Sequence, residues 1–108
     1  MQKNFTEGAL STLKAAARDV EGSLTAYSGR NMYGGECLGI TTLDAPKLFG
    51  EILSHLGQLA DKGDTSVKGQ IDEFELFFRA CRTDSLGEGV VLYNTAFAVP
   101  EGVTEGVA

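Results

Sequence analysis

Between Ser23 and Leu43 the chain loses the three- and four-residue apolar period that governs it on both sides, and this interruption constrains the fold more than any other feature. Before it, Leu10, Leu13, Ala17 and Val20 mark the buried stripe of an amphipathic helix. After it, Leu48, Ile52, Leu56 and Leu59, flanked by Phe49 and Leu53, mark a wider one. Within it, two β-compatible runs, Leu24 to Ser28 and Glu36 to Thr42, flank a segment holding Gly29, Gly34 and Gly35. An antiparallel hairpin with a long, glycine-bearing loop, set between two helices, fits that pattern.

Local signals sharpen the boundaries. Asn4 is placed to cap the first helix, with Glu7 three residues on to complete a capping box, and the helix is expected from about Phe5 to Glu21, ended by Gly22. Asp44 reads as the next N-cap, with Pro46 in the first turn where its missing N–H does no harm. After the polar connection Asp61 to Ser66, two templates share members. Val67, Ile71, Phe74, Phe78 and Cys81 fit a helix, whereas Phe74, Leu76, Phe78 and Ala80 fit a strand. Asp72 and Glu73 toward the start, with Arg79 and Arg82 toward the end, favour the helix through its macrodipole. Thr83 to Gly89 reads as a turn, and Val90 to Tyr93 as a buried strand at the centre or inner edge of the sheet. The expected fold class is α+β, a small antiparallel sheet of about three strands packed against two or three helices. Residues 1–100 are expected to form a single domain and 101–108 a flexible tail.

Composition limits the function. With 108 residues and 43% hydrophobic content, one core can form without a metal or disulfide staple. Nine basic against fifteen acidic side chains give a net charge of -6, a field that repels phosphate backbones and anionic membrane surfaces. Direct nucleic-acid binding is therefore not expected, while a basic protein partner is permitted. No run approaches the roughly 18 apolar residues of a membrane span, and the amino terminus has no signal-like apolar run, so the expectation is a cytoplasmic protein. Cys37 and Cys81 fall outside any zinc-ligand spacing and read as reduced, partly buried thiols. No metal, cofactor or catalytic residues are expected. Adjacent acids such as Asp72, Glu73 and Glu75 read as a solvated face, and His55 as a surface or boundary histidine. Phe74, Phe77 and Phe78 read as core, with an aromatic anchor for a partner as the alternative, and a domain too small to bury both faces of that segment is expected to form a homo-oligomer.

Two segments concentrate the residue types that hold ligands. Ser28 to Cys37 carries three glycines, Tyr33 and Arg30, which is the only cation between Arg18 and Lys47. Loops of this length tend to be functional or disordered. Glycine lets backbone amides approach a ligand, and the guanidinium fork suits carboxylate or phosphate. Asp84 to Gly89 is the second segment; if its strand pairs beside the hairpin, the two turns share one end of the sheet as a cleft. On this reading Ser28, Gly29, Arg30, Tyr33, Gly34, Gly35, Asp84, Ser85 and Gly87 hold a small anionic ligand. The structural alternative is a wide hairpin in which Arg30 pairs with Glu36, and a turn whose glycines supply positive φ.

The motifs SGRNMYGGECLGI (Ser28 to Ile40) and TDSLGEGVVLY (Thr83 to Tyr93) resemble small uncharacterised bacteriophage proteins with an SGRGMYG-type hairpin and a DSMGxGxxxY turn and strand. Asn31 and Leu86 stand where that pattern has glycine and methionine. The resemblance implies a phage accessory protein acting in the host cytoplasm, by sequestering a defence-signalling nucleotide or occupying a host factor. The expected function is thus a non-enzymatic binding protein for a small anionic or nucleotide ligand. The alternative is an acidic inhibitor of a basic host protein, possibly a nucleic-acid mimic.

Overall fold

A computed structural model describes residues 3–30 and 36–98, with 24–30, 36 and 86 described in backbone only. The fold is α+β, as the periodicity indicates. Its elements run α1 (Glu7–Arg18), β1 (Leu24–Arg30), β2 (Glu36–Thr42), α2 (Ala45–Asp61), α3 (Val67–Arg79), β3 (Arg82–Leu86) and β4 (Gly89–Asn94). The strands form one antiparallel sheet in the order β1-β2-β4-β3. None of the described helices is long and apolar enough to cross a membrane.

The helix signals resolve in instructive ways. Asp44 caps α2 as expected, its carboxylate accepting from the Lys47 N–H at 3.0 Å, with Pro46 in the first turn. At α1 the cap is Thr6 rather than Asn4; its hydroxyl oxygen accepts from the Ala9 N–H. The reciprocal partner also differs. Instead of Glu7, it is Glu73 of α3 whose carboxylate accepts from the Thr6 N–H at 2.7 Å and from the Thr6 hydroxyl at 2.8 Å. A capping box closed between helices satisfies the same orphan donors and pins the start of α1 to α3. Glu73 thus leaves the solvated face on which the sequence places it. Helix α1 ends at Arg18, and Gly22 follows in a separate turn at φ 78. Segment 67–79 is helical, yet no acid lies in its first turn, so only Arg79 at its end supports the macrodipole reading.

A fourth strand, β3, occupies residues read from sequence as a turn. Asp84 and Ser85 pair with Val91 and Val90, and the turn shrinks to Gly87 and Glu88. The β4 strand lies inside the sheet, between β2 and β3, where its apolar composition places it.

Alternate residues Leu38, Ile40 and Leu92 join the core with Leu13 and Ala16 of α1, Leu48 and Ile52 of α2, and Phe74 and Phe77 of α3. Phe77 is fully buried. Its ring meets Phe5, Phe78 and Phe97 at centroid distances of 5.5, 5.1 and 5.1 Å. Phe97 reaches this cluster because the chain turns back after β4: the Lys3 N–H donates to the Ala96 carbonyl, and the Leu38 N–H to that of Phe97. Asn94 fixes the reversal. Its amide nitrogen donates to the Phe77 carbonyl at 2.9 Å and its oxygen accepts from the Ala96 N–H at 2.8 Å.

Candidate functional site

The strand register separates the two segments that sequence reasoning joins into one cleft. Ser28, Gly29 and Arg30 form the end of β1, opposite Leu38, Cys37 and Glu36. Tyr33, Gly34 and Gly35 lie outside the described residues. On β2, Leu38 pairs with Asn94 and Thr42 with Val90, so the hairpin end of β2 aligns with the far end of β4. Gly87, at φ 59, sits in the turn at the near end of β4, next to exposed Asp84 and Ser85. The seven residues of β2 span about 20 Å between those ends. Moreover, β1 and β3 are the two outer strands. Among the described residues, Ser28–Arg30 and Asp84–Gly87 therefore lie at opposite corners of the sheet and share no cleft. Arg30 stands opposite Glu36 in the backbone register.

Concave surfaces arise instead on the helical layer, where neither motif contributes, and two of them lie between helices. The first is a polar cleft of about 270 Å³ between α1, α2 and the start of α3. Ser11 and Thr12 line one wall, His55, Gln58 and Lys62 another, and Asp64, Ser66 and Gln70 the third. A hydrogen-bonded chain runs along it from the core outward. The buried Thr12 hydroxyl donates to the Gln70 side-chain Oε1 at 2.6 Å, the Gln70 Nε2 donates to the Ser66 hydroxyl at 2.9 Å, and the Ser66 hydroxyl donates to Asp64 Oδ1 at 2.6 Å. Among the described residues no buried side-chain polar atom lacks a partner, so this chain is complete without a ligand.

Asp64 also accepts from the Ser66 N–H at 2.8 Å. The bond from the Ser66 hydroxyl, then that from its N–H, hold the Asp64 carboxyl below the ordinary aspartate value. A depressed carboxyl stabilises the fold above its unfolded-state pKa and loses that contribution as pH falls through the lowered native value. An NMR titration should show Asp64 ionising below a free aspartate, and Ser66→Ala should move it back up.

At the edge of this cleft His55 and Asp19 are paired, Nε2 to Oδ2 at 2.8 Å, clamping the end of α1 to α2. No sequence signal links residues 19 and 55; His55 is half-buried, at the boundary where the sequence places it, and Asp19 is its partner. Glu51 brings a third ligand-type atom, the three lying within 4.8 Å of one another. Asp19 is 52% exposed, and the pair is satisfied as an interhelical bond, so the cluster serves packing. Burial raises the pKa of both thiols, Cys37 and Cys81. Thiols so shifted are poor nucleophiles at neutral pH.

The second concavity is a groove of about 240 Å³ between α2 and α3, walled by Phe49, Leu53, Leu56, Ile71, Phe74 and Phe78. Glu75 is the one charged group on its lining. Leu53 is 68% exposed, Ile71 38% and Phe49 37%. No family model matches the chain, and neither a curated protein nor a solved structure matches it. The groove carries the strongest functional signal in the fold. Contiguous exposed apolar surface costs solubility, and on soluble domains it marks interaction sites. Sequence reasoning missed it because Phe49 and Leu53 read as the margins of a buried stripe. Of the phenylalanines weighed between core and anchor, Phe74 and Phe77 are core, while half-buried Phe78 packs edge-on against Phe49 at 4.7 Å and lines the groove.

Proposed function

We propose that this protein is a non-enzymatic interaction module that docks the apolar face of a partner helix in the α2–α3 groove. The observation that carries the proposal is the groove's lining, apolar apart from Glu75, on a chain in which 22% of residues are charged. Two parallel walls of helix are the usual receptor for an amphipathic helix, whose residues at i, i+3, i+4 and i+7 fill such a trough. This favours a protein partner over the ligand cleft built from the two glycine-bearing segments, whose described members Ser28–Arg30 and Asp84–Gly87 lie at opposite ends of the sheet. The phage resemblance implies an accessory protein that either occupies a host factor or sequesters a nucleotide, and the groove fits the first of these.

A second reading keeps the small anionic ligand but moves it to the polar cleft, where Lys62 supplies a cation and Gln58 and Ser11 supply donors. Calorimetry with inorganic phosphate and with nucleotides distinguishes the two: heat lost on Lys62→Ala supports the cleft.

The groove reading predicts that the apolar dye ANS binds the native protein and that Leu53→Glu removes this binding. Because Leu53 is 68% exposed, the substitution should leave stability within about 0.5 kcal/mol of the wild type. ANS binding unaffected by Leu53→Glu would rule the groove out as the docking surface.

A further inference from the structure

Resting on the groove reading, we infer that the helix docked there is α2 of a second copy of this chain, in an antiparallel two-fold dimer. At 100° per residue, Pro46, Phe49, Gly50, Leu53, Gly57 and Ala60 share one strip of α2, beside the buried stripe of Leu48, Ile52 and Leu56. All six are exposed and none is charged. The strip has a knob and a hole. Leu53 stands out at 68% exposure, while Gly50 and Gly57 have no atom within 4 Å of where a Cβ would stand. In interdigitated helices a knob enters a hole bounded by residues i, i+3, i+4 and i+7. Gly50, Leu53, Ser54 and Gly57 have that spacing, with glycine at its first and last corners. Antiparallel pairing centred beside Leu53 puts each Leu53 into the other copy's hole, the self-complementarity that a two-fold interface demands.

Charge selects the same register. The chain carries a net -6, so two copies repel at long range unless the contact itself is neutral or complementary. Lys47 and Asp61 lie on one flank of the strip, at opposite ends of α2, and both are exposed. The antiparallel register sets each Lys47 against the partner copy's Asp61, twice over; a parallel two-fold pair would put the two charged flanks on opposite sides and form neither contact. On the other flank the groove-lining Phe49, Ile71 and Phe78 extend the apolar area toward α3. The 17-residue helix is about 25 Å long, so the pair covers less than the roughly 800 Å² per partner of a standard interface. A reversible dimer of micromolar strength follows.

Sedimentation and light scattering across micromolar to millimolar protein test this. The mass should rise toward twice the 11.4 kDa of the chain. Leu53→Glu, which buries an unpaired charge at the two-fold axis, should weaken association on the order of 100-fold. Lys47→Glu and Asp61→Lys should each weaken it about two- to ten-fold, and the two together should restore it. A dimer indifferent to Leu53→Glu, or a charge swap that fails to rescue, overturns the inference. A monomer at every concentration also overturns it; if that monomer binds ANS in a Leu53-dependent way, the groove reading stands and only the identity of the occupant is wrong.

Discussion

Phe77→Ala should destabilise the domain by about 4 kcal/mol and lower its Tm by roughly 15 °C, the largest effect expected of any single truncation. Phe77 is fully buried, and its ring is the meeting point of the amino-terminal Phe5, the groove-lining Phe78 and the carboxy-terminal Phe97. Removing it opens a cavity where three separate stretches of chain converge, so local collapse cannot fill the void without moving the others. A loss of this size is a large share of the 5–15 kcal/mol that holds a typical domain folded. Thermal and urea denaturation read it directly. A loss below about 1 kcal/mol would mean that the aromatic cluster is not the centre of the core.

Asn94→Leu should cost about 2–3 kcal/mol although it places a larger apolar side chain in a buried position. Asn94 is 3% exposed, and each end of its amide is committed: one donates to the Phe77 carbonyl at the end of α3, the other accepts from the Ala96 N–H. Leucine has the shape without either bond, leaving the buried Phe77 carbonyl and the part-buried Ala96 amide without their partner. The chain reversal after β4 depends on this residue, so hydrogen exchange should quicken first at Leu38 and Ala98, whose amides bond to the returning segment and to Lys3. If Asn94→Leu left both stability and those amides unchanged, the reversal would have to be held by the Phe97 packing alone.

These two positions show where sequence reasoning reaches and where it stops. The α2 helix was legible because every signal for it is local: Asp44 caps it, Pro46 suits its first turn, and Leu48, Ile52 and Leu56 repeat at four residues. The bounds of β2 were legible for the same reason, as glycines mark one side and Asp44 the other. Thr83, Asp84 and Ser85 were not, because they have the chemistry of a turn; they are drawn into an edge strand by pairing with the apolar β4. Thr6 and Asn4 are equally able to cap α1, and the choice between them is made by Glu73, which lies 67 residues away.

The candidate site was less legible than the fold. Composition drew attention to Ser28–Cys37 and to Asp84–Gly89, yet whether two turns face each other depends on strand order, and β2 lies between β1 and β4. A helix period gives the width of an apolar stripe without saying how much of it other elements cover. Leu53 and Ile71 have the period of core residues and remain exposed because no further layer lies over the α2–α3 face among the described residues.

The most direct test of the groove as docking surface is a residue-resolved NMR map of ANS binding to the wild-type protein. Backbone and methyl shifts are predicted to concentrate at Phe49, Leu53, Ile71 and Phe78. Shifts concentrated instead at Ser28–Arg30 and the neighbouring hairpin, or around Lys62 and Gln70 in the polar cleft, would contradict it.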